Sequence, residues 1–215
     1  MSDLREYMLY LSNVPTLEEL WSAHTEQMKS YGFDRLIYGF TRFRTQTSLG
    51  DPEDFLILTN HSSAYIDGFI NKGLYFHAPM LHWALENEGA GSWRLLGEKF
   101  DKGRLTREEL KVIEFNLAMK VTAGYTISFK SVSARSKGAI SLAAGVGLSQ
   151  EEVDEIWAAA ALLGEAIGRL RQKLEGVGVT DKIVAVRGVG FRLEGPAPRP
   201  ASSTSSSTTS SAADG

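Results

Sequence analysis

Between residues 17 and 31, apolar side chains recur at three- and four-residue steps, which predicts a helix with one apolar face. This face consists of Leu17, Leu20, Trp21, His24, Met28 and Tyr31. Thr16 and Glu19 have the spacing at which a hydroxyl and a carboxylate cap each other's free backbone amides, so the helix should begin there. Gly32 stands where a helix C-cap belongs, which places the end of the helix.

The same capping spacing occurs twice more and predicts two further helices. One should run from residue 106 to 119, and the other from residue 149 to about residue 174. A serine at position 62 or 63 is suited to cap a short helix that reaches residue 71. The proline at position 79 favours a first helical turn there, with the helix reaching about residue 85.

Four segments are rich in aromatic and branched residues and predict β-strands. They cover residues 36–43, 55–58, 125–132 and 138–144. A polar turn connects the first strand to the second, and another connects the third to the fourth. Helices that flank strands joined by short turns predict an α/β fold of the α+β type, with a mostly antiparallel sheet and helices packed on its faces.

Residues 1–174 therefore form one predicted domain, and the character of the sequence changes after Gly176. Residues 175–195 should be a short extension, in which Val179 to Leu193 forms either a helix or a hairpin. In residues 196–215, Pro, Ala, Ser and Thr dominate, so this tail should be disordered because it cannot bury enough apolar surface.

The composition narrows the possible classes of protein. The chain has 215 residues and can bury one substantial core, and its net charge of −3 gives no overall basic surface for nucleic acid. No segment has the roughly 18 consecutive apolar residues of a membrane span, and no secretory leader is visible. The chain contains no cysteine, which excludes disulfides and thiolate chemistry. We expect a soluble, cytoplasmic protein without membrane association.

Candidate catalytic and metal-binding groups are few. The four histidines are His24, His61, His77 and His82, and their spacing does not group the further donors that a metal site needs. No nucleophile motif, dinucleotide fingerprint or P-loop occurs. We therefore expect no metal, no cofactor and no enzymatic activity.

A series of residues in the middle of the chain resembles the signal-binding domain of LuxR-type quorum-sensing regulators. The series comprises Thr59 to Tyr65, Phe69, Ala78-Pro79, Trp93, Gly124-Tyr125-Thr126 and Gly138-Ala139-Ile140-Ser141-Leu142. The resemblance extends over about residues 17–171. It implies a helix–sheet–helix sandwich that encloses an acyl-homoserine lactone between the sheet and the helices.

The resemblance also implies which residues contact the ligand. Tyr65 corresponds to the family tryptophan that donates to the lactone carbonyl, and Phe69 to a tyrosine along the acyl chain. His61 corresponds to a second tyrosine, Trp93 is the retained tryptophan over the head group, and Ser141 is a retained polar residue. Two further aromatic residues, Tyr38 and Trp83, belong to the same expected pocket. Aromatic residues also fill ordinary cores, so this set alone does not establish a pocket.

Ala78 stands where the family has an aspartate that accepts the ligand's amide N–H. An amide donor that is buried without an acceptor costs about 1–3 kcal/mol, so affinity should fall unless Ser128, Ser141 or a water substitutes. A ligand without that N–H, such as an aryl or ketone signal, is an alternative. A pocket filled by its own side chains is another.

Partners follow from the same resemblance. Typical family members continue into a helix-turn-helix domain of roughly 60 residues, and fewer residues follow Leu174 here, so we expect no direct DNA binding by this chain. We expect a homodimer, or a heterodimer with a full-length LuxR-type regulator, that modulates its transcriptional output. The alternatives are a ligand-independent dimerisation module and a small-molecule carrier.

Overall fold

The computed structural model describes residues 4–45, 50, 54–131, 133–159, 182–186 and 190–194. The α-helices are α1 Leu4–Asn13, α2 Leu17–Ser30, α3 Ser63–Ile66, α4 Pro79–Glu86, α5 Arg94–Asp101, α6 Arg107–Ala118 and α7 Gln150–Ala159. A π-helical turn, Asp67–Asn71, continues α3, and a 3₁₀ turn, Leu74–His77, leads into α4. The strands are β1 Phe33–Thr41, β2 Leu56–Thr59, β3 Gly89–Ser92, β4 Gly124–Ser128, β5 Lys137–Ala144, β6 Lys182–Val186 and β7 Gly190–Glu194.

Five strands form one sheet in the order β2-β1-β5-β4-β3, and every neighbouring pair is antiparallel. The long central strands are in register over most of their length, with Tyr38 opposite Ile140 and Ile127 also opposite Ile140. The predicted α+β fold with an antiparallel sheet is therefore confirmed. Strands β6 and β7 form a separate antiparallel hairpin, which was one of the two structures predicted for that segment.

One face of the sheet packs on the main hydrophobic core. Side chains alternate between the faces of a strand, and alternate residues from Leu36 and Ile140 onward point to this side. Helix α2 covers them with fully buried residues that include Leu20 and Met28, and α7 adds Val153. The other face of the sheet is left for the helices between residues 63 and 118.

The local capping chemistry explains where three helices begin. The hydroxyl of Thr16 accepts a hydrogen bond from the amide of Glu19 at 3.2 Å. In α6, Thr106 and Glu109 satisfy each other's amides, at 3.2 Å and 2.8 Å. Ser149 has the same reciprocal arrangement with Glu152 at the start of α7, so the three predicted helix starts are confirmed.

Three elements were not predicted, namely α1, β3 and α5. Strand β4 also ends at Ser128, four residues before the predicted end. The predicted continuation of α7 to residue 174 and the predicted tail of residues 196–215 lie outside the described residues.

Candidate ligand-binding site

A cavity of about 810 Å³ lies between the second face of the sheet and the helices that cover it. The sheet contributes one cross-strand row, in which Ile37 of β1 pairs with Ser141 of β5 and Ser141 pairs with Thr126 of β4. Gly39 and Ala139 form the next lining row of the same face. The small side chains on the sheet leave space above it, and a volume of this size lies within the range of small-molecule sites.

The helical wall of the cavity is mainly apolar and aromatic. It consists of Tyr65, Phe69, Ile70, Tyr75, Ala78, Pro79, Met80, Leu96, Phe100, Val112, Ile113, Asn116 and Leu117, with further residues at the rim. Phe100 and Leu117 are 61% and 56% exposed although they line the cavity, so the cavity reaches the surface between α5 and α6. An apolar wall with an apolar opening suits a ligand with a hydrocarbon part.

A chain of hydrogen bonds crosses the floor of the cavity. The indole Nε1–H of Trp93 donates to the hydroxyl of Thr126 at 2.9 Å, and this hydroxyl lies 3.0 Å from that of Ser141. Two hydroxyl groups carry two protons, and their mutual bond uses one of them. The pair therefore offers one further O–H donor to a ligand oxygen, whichever of the two groups carries it.

A stack of aromatic rings at the helical wall carries further polar groups of the cavity. The rings of His61 and Tyr65 stack at 4.1 Å, and those of Tyr65 and Phe69 at 5.2 Å. Tyr65 and Phe69 are four residues apart along α3 and the π-helical turn and therefore lie on one face, and His61 directly precedes the cap of α3. The Tyr65 hydroxyl donates to Oδ1 of Asn116 at 3.1 Å, so the amide nitrogen of Asn116 lies beside this group as a donor.

The electrostatics of the stack keep both ring systems uncharged at neutral pH. Burial, together with the positive charge of Arg35, lowers the pKa of His61 to about 4, although Asp34 acts in the opposite direction. Burial raises the pKa of Tyr65 above its usual range. Arg35 is itself held by Asp34 at 2.9 Å, by the backbone carbonyl of Lys120 just after α6, and by the carbonyl of Ala144 at the end of β5.

A polar network closes the end of the site where α7 begins. Asp154 accepts hydrogen bonds from Ser92 at 2.7 Å, from Arg94 at 2.8 Å and from Gln150 at 2.8 Å. Although burial opposes ionisation, these hydrogen bonds keep the pKa of Asp154 low, at about 2. Gln150 also bonds both backbone groups of Gly124, at 2.9 Å and 3.2 Å, so the network ties α7 to the edge of the sheet.

The structure brings six of the predicted ligand contacts into the lining of one cavity, namely His61, Tyr65, Phe69, Ala78, Trp93 and Ser141. Tyr38 also borders the cavity, but its ring lies in the main core, 6.2 Å from that of Phe129. Trp83 is not among the lining residues. It lies against Gly91 of β3, where an added Cβ would come within 2.8 Å of the indole, and it lines a smaller pocket of about 210 Å³.

At Ala78 the wall of the cavity carries no side chain that can accept a hydrogen bond. Ala78 is buried and precedes the first turn of α4, so a methyl group forms the wall there. Ser128, which we considered as a substitute acceptor, is directed elsewhere, because its hydroxyl lies 2.7 Å from the carbonyl oxygens of both Ala84 and Asn87. Ser128 caps the end of α4 and does not line the cavity.

Sequence reasoning missed Thr126 and Asn116 as residues of the site. Thr126 was part of the quoted motif, and its alternation with the core residues Tyr125 and Ile127 indicates the cavity face. Asn116 carries no comparable signal, because its contact with Tyr65 depends on how α6 packs over α3. Among the described residues, no group of three or more His, Asp or Glu side chains is arranged to hold a metal ion. No helix in the described ranges is long and apolar enough to span a bilayer.

The family profile described as the autoinducer-binding domain matches residues 16–168 of the chain. No curated protein sequence matches the chain.

Several solved structures share the fold. The N-acylhomoserine lactone-dependent LuxR family transcription factor CepR2 from Burkholderia cenocepacia is 16% identical, with a TM-score of 0.58, and the match covers 80% of this chain and 96% of that one. SdiA from Escherichia coli is 17% identical, with a TM-score of 0.58, and the match covers 86% and 73%. The VqsR LBD domain from Pseudomonas aeruginosa is 12% identical, with a TM-score of 0.53 and coverage of 80% and 98%. At these identities the likeness shows the fold alone.

Proposed function

The chain belongs to the autoinducer-binding domain family, and we propose that its 810 Å³ cavity binds a small signal molecule with an acyl or similar apolar chain. The family is one of signal-binding regulatory domains. In our proposal the signal is an acyl-homoserine lactone or a variant with a different head group, and its binding modulates quorum-sensing transcription.

The observation that carries the proposal is the combination of an apolar wall with a few placed donors. The spare hydroxyl proton of the Thr126–Ser141 pair and the amide of Asn116 can each donate to a carbonyl oxygen. CepR2 is described as dependent on N-acylhomoserine lactone, and SdiA has been solved with octanoyl-rac-glycerol. Both ligands combine an acyl chain with a carbonyl, which is the chemistry that this cavity can accommodate.

The regulatory output would pass through dimerisation, either with a second copy or with a full-length LuxR-type regulator. Helix α1 leaves Leu9 and Tyr10 more than half exposed, at 56% and 55%, which offers apolar surface to a partner chain. The net charge of −3 gives no general attraction to DNA, so we propose that the domain acts through its partner and not through its own DNA contacts.

The test is native mass spectrometry of the protein expressed in a host that produces acyl-homoserine lactones and in a silent host. We expect an added small mass only from the producing host. Gly39 lines the cavity, and a Cβ built there meets no atom within 4 Å, so Gly39→Leu should fill the cavity without disturbing the sheet. This variant should lose the added mass, whereas Ala118→Leu on the exposed side of α6 should keep it.

The same samples decide between the proposal and its alternatives. A folded protein that retains no small mass from either host, and that still dimerises, would instead be a ligand-independent dimerisation module. A protein that retains the molecule but forms no dimer with itself or with a regulator would be a carrier. Sedimentation velocity with and without the small molecule measures whether the protein dimerises.

A further inference from the structure

The imidazole of His61 is a half-buried polar side chain in the lining of the cavity. Its ring stacks 4.1 Å from that of Tyr65, and its backbone amide donates to the hydroxyl of Thr59 at 3.0 Å, so both sides of the residue are fixed. Within the described part of the chain, neither ring nitrogen has a hydrogen-bond partner. A ring that is held in place at a cavity wall with two unused nitrogens is available to a ligand.

The imidazole presents one donor and one acceptor to the cavity. Burial and the nearby Arg35 hold its pKa at about 4, so the ring is neutral at physiological pH. A neutral imidazole carries one N–H and one nitrogen lone pair. His61 can therefore accept a hydrogen bond from a ligand N–H or O–H, which no cationic residue can do.

Several other polar side chains of the cavity are engaged in hydrogen bonds with one another or are exposed. The Thr126 hydroxyl accepts from Trp93, and the Tyr65 hydroxyl donates to Asn116. The carboxylates that line the cavity are those of Glu98, Asp101 and Glu151, and all three residues are exposed at its rim. Among the described lining residues, the half-buried His61 thus has a ring nitrogen that can accept a hydrogen bond and that no hydrogen bond within the described chain uses.

We propose that His61 accepts a hydrogen bond from the head group of the ligand, and that the cavity thereby selects an acyl compound with an N–H or O–H donor next to its carbonyl. The inference rests on the proposed function and specifies the ligand class of that same cavity. His61 provides the cavity with an acceptor, whereas the methyl group of Ala78 cannot accept a hydrogen bond, and this acceptor favours an amide over an ester or a ketone.

The test compares two ligands that differ at one atom. The probes are N-octanoyl-homoserine lactone and the ester analogue, in which an oxygen replaces the amide N–H. Both are titrated by isothermal calorimetry into the wild-type protein, His61→Phe and His61→Gln. Phenylalanine keeps the stack on Tyr65 but removes the acceptor, and glutamine restores an acceptor without the ring. His77→Gln is the control, because His77 is exposed and does not line the cavity.

We expect the wild-type protein and His77→Gln to prefer the amide by about tenfold, the size of one hydrogen bond. His61→Phe should bind both probes with nearly equal affinity, and His61→Gln should recover part of the preference. Thermal melting without ligand shows whether each variant is folded.

Two results would overturn the inference in different ways. If the wild-type protein binds both probes equally, or if His61→Phe keeps the preference for the amide, His61 is not the acceptor although the cavity binds acyl lactones. If the folded wild-type protein binds neither probe, the proposed acyl-homoserine lactone ligand fails together with the inference.

Discussion

Acidification from about pH 7 to about pH 4.5 should lower the free energy of unfolding by about 2.5 kcal/mol through His24 alone. His24 is completely buried in α2, and its Nδ1 lies 3.0 Å from the hydroxyl of Tyr7. Burial lowers the pKa of its imidazole to about 3. In the unfolded chain the same group has a pKa of about 6.5.

The sign and size follow from these two values. Below about pH 6.5 the unfolded chain binds a proton at His24 that the folded protein does not bind, so the folded state loses stability as the pH falls. The loss is about 1.4 kcal/mol per pH unit until the pH approaches the folded pKa. The pKa of His61 is also lowered, to about 4, so His61 acts in the same direction and steepens the total dependence.

Urea denaturation at several pH values, monitored by circular dichroism, measures the effect. The variant His24→Gln lacks the titrating group, so its stability should depend less on pH than that of the wild-type protein. Tyr7→Phe is the matched control, because it removes the same hydrogen bond but keeps the imidazole. It should be less stable at every pH, with the wild-type pH dependence. If wild type and His24→Gln differ by the same amount at about pH 7 and at about pH 4.5, the reasoning about His24 is refuted.

Two further predictions concern packing around the sheet, and both are measured by chemical denaturation. Thr126→Val leaves the part-buried indole N–H of Trp93 without its acceptor and should cost about 1 kcal/mol. Ser141→Ala keeps that bond and should cost less, and equal losses would contradict the hydrogen-bond chain. Gly124→Ala places a Cβ against a backbone carbonyl oxygen of β5 and should cost more than about 3 kcal/mol. In contrast, a Cβ at Gly97 of α5 meets no atom within 4 Å, so Gly97→Ala should stabilise the protein by about 0.5–1 kcal/mol. A Gly124→Ala variant as stable as the wild-type protein would contradict the close approach of Gly124 to β5.

The sequence predicted those elements whose own residues specify them. The three capped helix starts and the aromatic or branched strands β1, β2, β4 and β5 follow from local chemistry. Strand β3 could not be found in this way, because Gly89-Ala90-Gly91-Ser92 has no residue with β-propensity. It exists through its pairing with β4, and Trp83 lies directly on Gly91.

The two missed helices have similar reasons. Helix α5 starts after Trp93 without a side-chain cap, contains a glycine and has no buried residue, so no capping signal marks where it begins. Helix α1 has no predicted start signal, and its role becomes visible only through packing, since Tyr7 and Leu11 are buried against the main core.

The candidate site divides in the same manner. His61, Tyr65 and Phe69 were predicted because the resemblance to the LuxR-type signal-binding domain places them at ligand-contacting positions. Asn116 was not, because it reaches Tyr65 across 51 residues of chain. Trp83 was misplaced because an aromatic residue gives no indication of whether it faces a cavity or a neighbouring backbone.

The hydrogen bonds at the rim of the cavity explain how a hollow site is compatible with a stable fold. Among the described residues, the helices over the cavity meet the sheet through a small buried cluster that contains Tyr65, Val121 and Ala143. Polar contacts also hold these helices at their ends. Arg35 donates to the carbonyls of Met119 and Lys120, just after α6, at 3.3 Å and 2.8 Å, and the Ser128 hydroxyl donates to carbonyls at the end of α4 at 2.7 Å. The interior of the site therefore does not have to be filled by side chains. An apolar ligand that occupies it would add contacts that exist only in the folded state, so ligand binding and the stability of these helices should rise together.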